Sequence, residues 1–273
     1  MSETETHVIV GAGLAGATAA EALREHGFAG RIVLVGADPE LPYARPPLSK
    51  DYLRGESPRE KARVHSDGWY AEHDVDLRIA TTAERIDTHA RAVTLSSGES
   101  VAYDRLLIAT GAEPRRLSVP GAELDGLHYL RDLADADAIA GRLEHGGRLV
   151  VIGAGWIGAE VAASARMKGL DVTVVERSDV PLEHVLGHDV GALYAHIHRE
   201  QGVELLTGVE LEAFEGAHGR VERVRLAGGR ALDTDFVVVG VGVVPRTALA
   251  EHAGIAVDDG IVVDARLETS VSG

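Results

Sequence analysis

An α/β fold of two similar domains is predicted by two observations. A strand–helix–strand unit with Gly-x-Gly-x-x-Gly at its first turn occurs twice, in residues 7–35 and again in 148–175. The stretch downstream repeats too: 92–115 and 221–246 each offer a strand, a glycine turn, a second short strand around an acid, and a buried apolar strand ending near Pro-Arg. Two copies of one plan mean two domains rather than one large one.

In order, the first unit reads "HVIVGAGLAGATAAEALREHGFAGRIVLV", a short strand, a glycine loop, an alanine-rich helix and a second strand. A meander and a return strand follow. The Pro- and Gly-rich link after residue 111 is expected to be extended, then helical over roughly 132–145. The second unit, "RLVVIGAGWIGAEVAASARMKGLDVTVV", repeats the first. The domains are placed at 1–114 and 115–242, with 243–273 returning to the first. Both are Rossmann-like dinucleotide-binding domains, because a pyrophosphate needs backbone N–H donors at a helix N-terminus and no side chain in its way. Gly11 and Gly153 make the turn, Gly13 and Gly155 admit the phosphates, and Gly16 and Gly158 let helix and strand pack.

An acid follows the second strand each time. Glu176 is placed to accept hydrogen bonds from both adenosine ribose hydroxyls and to repel a 2′-phosphate, which favours NADH; Arg177 beside it is the residue that could bind that phosphate. Asp38 takes the ribose role in the first copy, with Glu40 the competing residue. Two dinucleotides in one chain suggest electron transfer between a mobile nicotinamide and a retained flavin, and spacing alone does not say which copy holds which.

Composition narrows the chemistry. The 273 residues carry 43 acidic and 27 basic side chains, a formal net charge of −16, which argues against nucleic-acid or anionic-membrane binding. There is no cysteine, so disulfides, a redox dithiol, protein-ligated iron–sulfur clusters and thiolate zinc are excluded. No apolar run approaches the ~20 residues of a membrane span. The acidic start "MSETETHVIV" lacks the basic region of a secretory signal, so a cytoplasmic enzyme is expected. No metal site is expected: Gly187 interrupts any helix between His184 and His188, and His196 and His198 face different ways. No Gly-x-Ser-x-Gly elbow suggests a serine hydrolase.

"VGAGLAGATAAEALR", "PYARPPLSKDYL", "YDRLLIATGAEPRRL", "VVIGAGWIGAEVAASAR" and "GVGVVPRTALAEHAGI" together resemble the FAD-dependent ferredoxin reductases of bacterial cytochrome P450s and ring-hydroxylating dioxygenases, the putidaredoxin-reductase-like proteins. The resemblance spans essentially the whole chain. It implies a three-layer, glutathione-reductase-like architecture, FAD on the first copy, NADH on the second, hydride transfer to the flavin, and one-electron steps to a [2Fe–2S] ferredoxin. It places cofactor contacts at Gly11, Gly13, Leu14, Ala15, Gly16, Asp38, Arg45, Lys50, Ala83, Thr110, Gly111 and Arg131. It places others at Gly153, Gly155, Trp156, Ile157, Gly158, Glu160, Glu176 and Gly242.

Some of these residues have plainer readings beside the implied ones. Ala83 is a packed strand residue touching cofactor at most through backbone, and Arg131 a capping side chain ahead of the link helix. Lys50, read alone, is a surface lysine on the stiff loop "RPPLSK", and Glu160 a glutamate favoured by the helix dipole. The resemblance instead pairs them as catalytic residues, a cation kept charged by its carboxylate beside the flavin's reactive nitrogen. Trp156 either covers the flavin ring or packs between domains. The family's pattern continues past "ARLETSVSG" with a strand, a second flavin motif and a third, C-terminal domain, so the sequence reads as a C-terminally truncated form. The alternatives are another NADH-linked flavoprotein, such as a rubredoxin or nitrite reductase component, or a non-catalytic dinucleotide-binding module.

Overall fold

The computed structural model describes residues 5–273. The chain divides into two compact units, one of residues 1–44, 62–113 and 245–273, the other of 45–61 and 114–244.

In the first unit, strands Thr6–Val10 and Arg31–Val35 flank helix Leu14–Glu25 and pair in parallel. Val75–Arg78 joins one side and Arg105–Ile108 the other, giving a four-stranded parallel sheet. Strand residues alternate between its faces. Ile9, Ile32 and Leu34 pack with Ala20 of the helix, while Val8, Val10, Val33 and Val35 pack with Ile86, Val93 and Leu95 of an antiparallel sheet. That sheet is the meander Ala83–Asp87, Ala92–Leu95 and Ser100–Ala102. Helix, parallel sheet and antiparallel sheet make three layers.

The second unit repeats the plan with one more strand. Glu204–Leu206, Asp171–Val175, Arg148–Ile152, Phe236–Val239 and Leu127–Tyr129 form a parallel sheet in that order. Helix Trp156–Met167 makes the crossover, and Leu211–Ala217, Arg220–Leu226 and Ala231–Asp233 make the meander over Val150, Ile152, Val237 and Val239. The link helix is Leu133–Glu144, started by Asp132 and Asp135 in a reciprocal capping box.

One expectation needs correcting. Both return strands read as buried, and Phe236–Val239 is buried throughout, but Arg105–Ile108 is not, with Leu107 40% exposed. The cause is position. Phe236–Val239 lies between two strands of its sheet, whereas Arg105–Ile108 ends its sheet among the described residues.

Asp235 staples the start of the second unit's central strand by accepting the Arg148 N–H at 2.7 Å. That bond holds its carboxyl below the ordinary aspartate range. A depressed carboxylate contributes stability above the unfolded value, about 3.9, and loses it as pH falls through the lower folded value. The urea midpoint of Asp235→Asn is therefore expected to lie below that of the wild type at pH 7, and the gap to close in acid. A gap independent of pH would contradict this.

Candidate functional site

Both glycine loops sit where a parallel strand hands over to a helix, and the same hydrogen bonds build each. Gly11 N–H donates to the Val35 carbonyl and Gly153 N–H to that of Val175, both at 2.8 Å. Gly11 and Gly153 have φ of 117° and 95°, which a side chain resists, and a Cβ on either would press on the Ala109 or Gly240 carbonyl. A Cβ on Gly16 or Gly158 would collide with the Gly11 or Gly153 carbonyl. Turn and packing thus explain these four.

Gly155 is different. Its φ of −72° suits any residue, and a Cβ there would meet nothing nearer than the Gly240 carbonyl at 4.0 Å. Nothing in the described fold requires glycine there, and the backbone is left open to approach. Gly13 likewise has an ordinary φ, −90°. Each begins its helix with no side-chain cap, so the first-turn N–H groups of Leu14, Ala15 and Gly16, and of Trp156, Ile157 and Gly158, lack the usual side-chain acceptor. The uncapped donors at both loops, and the open backbone at Gly155, fit a pyrophosphate. Gly111 and Gly242 occupy matching places after the return strands, with φ of 70° and 105°. Thr110 beside Gly111 donates its hydroxyl to the Arg246 carbonyl at 2.7 Å.

The ribose candidates separate the two copies. Glu176 directly follows its strand, its Oε2 accepting Ala154 N–H of the glycine loop at 2.6 Å and its Oε1 accepting Ser178 N–H at 2.8 Å. In the first unit the residue directly after the strand is Gly36, where a Cβ would sit 2.5 Å from the Ala12 Cβ. No carboxylate fits there. Asp38, two residues on, accepts the Tyr43 hydroxyl at 2.8 Å and Glu40 N–H at 3.0 Å. Glu40 thus helps hold Asp38 through its backbone. Ala83 starts the meander and packs into its core, and Thr81 N–H bonds the Gly36 carbonyl, which brings this segment to the strand end.

Arg45, Lys50 and Arg131 group with the second unit. Pro46–Ser49 forms one 3₁₀ turn, and Lys50 Nζ lies 2.7 Å from Glu160 Oε2 and 3.0 Å from the Pro46 carbonyl. The side chains of Lys50 and Glu160 are 43% and 27% exposed, so the pair is reachable from solvent. Tyr52 and Arg59 both bond Asp137, at 2.5 Å, fastening the loop to the link helix. Burial first, then the Asp137 hydrogen bond, pushes the Tyr52 phenol up. Arg45 Nε donates to the Arg131 carbonyl at 3.1 Å. The cap of the link helix is Asp132, and Arg131 contributes its N–H to Asp135 at 2.8 Å. Burial, and Asp132 beside it, raise the Asp135 carboxyl.

Trp156 is 45% exposed and meets Tyr194 edge to face at 6.3 Å, on a groove of ≈ 660 Å³ that Glu160, Met167 and Ile197 also line. Two residues escaped the sequence reading. Ser49 Oγ donates to Glu160 Oε2 at 2.5 Å, and Ser164 Oγ donates to the Ser49 carbonyl at 2.7 Å. The available signal was the position of Ser164 one helical turn beyond Glu160.

The described residues hold no group of three His, Cys, Asp or Glu side chains able to bind a metal, and no helix long and apolar enough to cross a membrane. The chain is 44% identical over 262 residues to rhodocoxin reductase of Rhodococcus erythropolis, a match covering 96% of this chain and 61% of that protein. It is 43% identical to the ferredoxin–NAD(+) reductase component of the biphenyl dioxygenase system of Paraburkholderia xenovorans (strain LB400), over 97% of this chain and 65% of that one. The crystal structure of the covalent putidaredoxin reductase–putidaredoxin complex superposes with a TM-score of 0.94 at 39% identity, covering 98% of this chain and 65% of that one. The chain thus spans less than two thirds of the length of these relatives. Residues 5–273 match the model for pyridine nucleotide-disulphide oxidoreductases, and the chain belongs to that family.

Proposed function

We propose that the chain is the dinucleotide-binding part of an NADH-dependent flavoprotein that passes electrons to a [2Fe–2S] ferredoxin serving a cytochrome P450 or ring-hydroxylating oxygenase. In this reading residues 1–114 and 243–273 hold FAD and residues 115–242 hold NADH. The observation that carries it is the difference between the loops: a carboxylate bonded to the second, and Gly36 in the matching place beside the first. Two copies of one fold with unlike ribose partners suit two unlike dinucleotides. The similarity to reductases that the names of relatives pair with ferredoxins supports the acceptor. These 273 residues contain no cysteine and so supply no dithiol of their own. A cytoplasmic location goes with this reading, since NADH is a cytoplasmic reductant.

When bound, FAD supplies the conversion of a two-electron hydride donor into a one-electron source. The residues of the chain bind, orient and polarise. The helix N-termini at Gly13 and Gly155 offer backbone donors to the pyrophosphates. Glu176 already accepts one amide on each oxygen, which fixes its plane and leaves a lone pair on each for the two ribose hydroxyls. Lys50 presents an ammonium paired with the Glu160 carboxylate at 2.7 Å, suited to negative charge developing beside it.

An anaerobic titration of FAD-loaded protein with NADH tests the assignment, and bleaching of the flavin bands is the expected result. Glu176→Ala is expected to raise half-saturation by NADH about tenfold, the worth of roughly 1.5 kcal/mol of charge-assisted hydrogen bonding, and, by removing the charge that repels a 2′-phosphate, to lower half-saturation by NADPH. Equal reduction of the wild type by both nucleotides would remove the role given to Glu176.

A further inference from the structure

We propose that Ser49 is a positioning residue, whose buried hydroxyl fixes the Glu160 carboxylate so that the Lys50 ammonium is held in one place. The proposal rests on the reading that Lys50 and Glu160 serve the exchange between nicotinamide and flavin.

Two donors converge on one oxygen. Ser49 Oγ lies 2.5 Å and Lys50 Nζ 2.7 Å from Glu160 Oε2. They are unequal donors. Ser49 is 4% exposed, and its hydroxyl sits on a short stem in a turn stiffened by Pro46 and Pro47. The Lys50 ammonium is on a long flexible stem and its side chain is 43% exposed. A carboxylate held only by such a lysine would follow it into solvent. Held by Ser49 as well, it stays put and the lysine comes to it.

Ser49 is itself gripped from the same helix. Ser164, 1% exposed, donates to the Ser49 carbonyl at 2.7 Å, and it stands one turn beyond Glu160 on Trp156–Met167. One face of that helix therefore binds both polar ends of Ser49, its hydroxyl through Glu160 and its carbonyl through Ser164. A solvated surface loop would need neither contact.

The choice of cation supports the arrangement. Only three of the 27 basic residues are lysines, at positions 50, 61 and 168. A lysine ammonium has three N–H donors. At Lys50 one goes to the Pro46 carbonyl and one to Glu160. The third is left for a group outside the chain. An arginine fork would spread its donors in a plane and could not reproduce that partition.

The scarcity of lysine also makes the test clean. Trace acetylation of the 273-residue chain without added cofactor, read by mass spectrometry, reports Lys50 against Lys61 and Lys168 as internal references. Relative labelling of Lys50 is expected to rise about fivefold in Glu160→Gln and about threefold in Ser49→Ala, because the ion pair that protects it is lost or loosened. Ser49→Thr, which keeps the hydroxyl, is expected to label as the wild type does. After FAD loading, the rate constant for reduction by NADH is expected to fall about tenfold in Ser49→Ala with the NADH dissociation constant unchanged, the pattern of a lost orientation rather than lost binding. Should Ser49→Ala fail to fold, Ser49→Cys, close in size and a weak donor, carries the same measurements.

Wild-type labelling of Lys50 in Ser49→Ala, with a rise in Glu160→Gln, would overturn the positioning role alone. No rise in either would overturn the pairing beneath it. Labelling that responds while reduction by NADH does not would overturn the functional reading of the pair, and the role of Ser49 with it.

Discussion

Gly158→Ala is expected to leave little folded protein, whereas Gly155→Ala is expected to fold normally and lose NADH. The two glycines are three residues apart in one motif, and the motif gives them the different roles, phosphate approach and packing, that the structure now separates energetically. At Gly158 the new Cβ would collide with the Gly153 carbonyl, which is backbone and cannot move without unseating the turn and the strand beneath it. Such an overlap is expected to cost about 3 kcal/mol or more, a large share of the roughly 5–15 kcal/mol that holds a domain together. At Gly155 the φ of −72° is ordinary and space is open, so alanine is expected to change stability by less than about 1 kcal/mol, with the restricted unfolded chain in its favour. The methyl would stand where the phosphates approach, and an affinity loss of about a hundredfold, roughly 2.7 kcal/mol, is expected. Urea unfolding and NADH titration of both variants check the pair. Wild-type NADH affinity in Gly155→Ala would show that the open space serves no ligand.

Lys50→Met is expected to slow reduction of FAD-loaded protein by NADH about a hundredfold, the usual scale for removing one preorganised electrostatic group from an active site. Glu160→Gln is expected to have a smaller effect in the same direction, since the lysine remains but is no longer held. Stability should move little in either, because a half-exposed ion pair is worth about 1 kcal/mol or less. Lys50→Arg discriminates between charge and shape. It restores the charge and loses the three-way partition of donors, so recovery of less than half the rate is expected. Stopped-flow absorbance measures all three, and a loss below about threefold in Lys50→Met would contradict a catalytic role.

The parts of the molecule legible in sequence were those with a short repeat. Alternating valines and isoleucines marked the strands of both units, and the glycine spacing marked the handover to helix, because both patterns are set by neighbouring residues. The meander of each unit was legible from its repeated pattern, whereas the three layers came with the family resemblance. What escaped depended on contacts distant in the chain. Arg105–Ile108 has the composition of a buried strand, but its exposure depends on what lies beside it in the sheet. Gly36 follows its strand as Glu176 follows the other, but that no carboxylate fits in its place depends on the contact of Gly36 with Ala12 across the loop. Ser49 and Ser164 are 115 residues apart, and a serine after two prolines reads as turn chemistry. Residues 45–61 interrupt the first unit in sequence, yet their anchors Asp137, Glu160 and Ser164 all belong to the second.

The way the first unit is closed bears on how the chain is made. Gly111 and Thr110 are tied to Arg246, helix Ala248–His252 packs on strand Ala83–Asp87, and Leu106 N–H bonds the carbonyl of Gly273. During synthesis all segments of the second unit have emerged by residue 244, while the first must wait for its last segment. The half of the chain translated earliest thus gains its contacts with residues 245–273 only after the second unit has emerged. Until then strand Ala83–Asp87 lacks the cover of helix Ala248–His252.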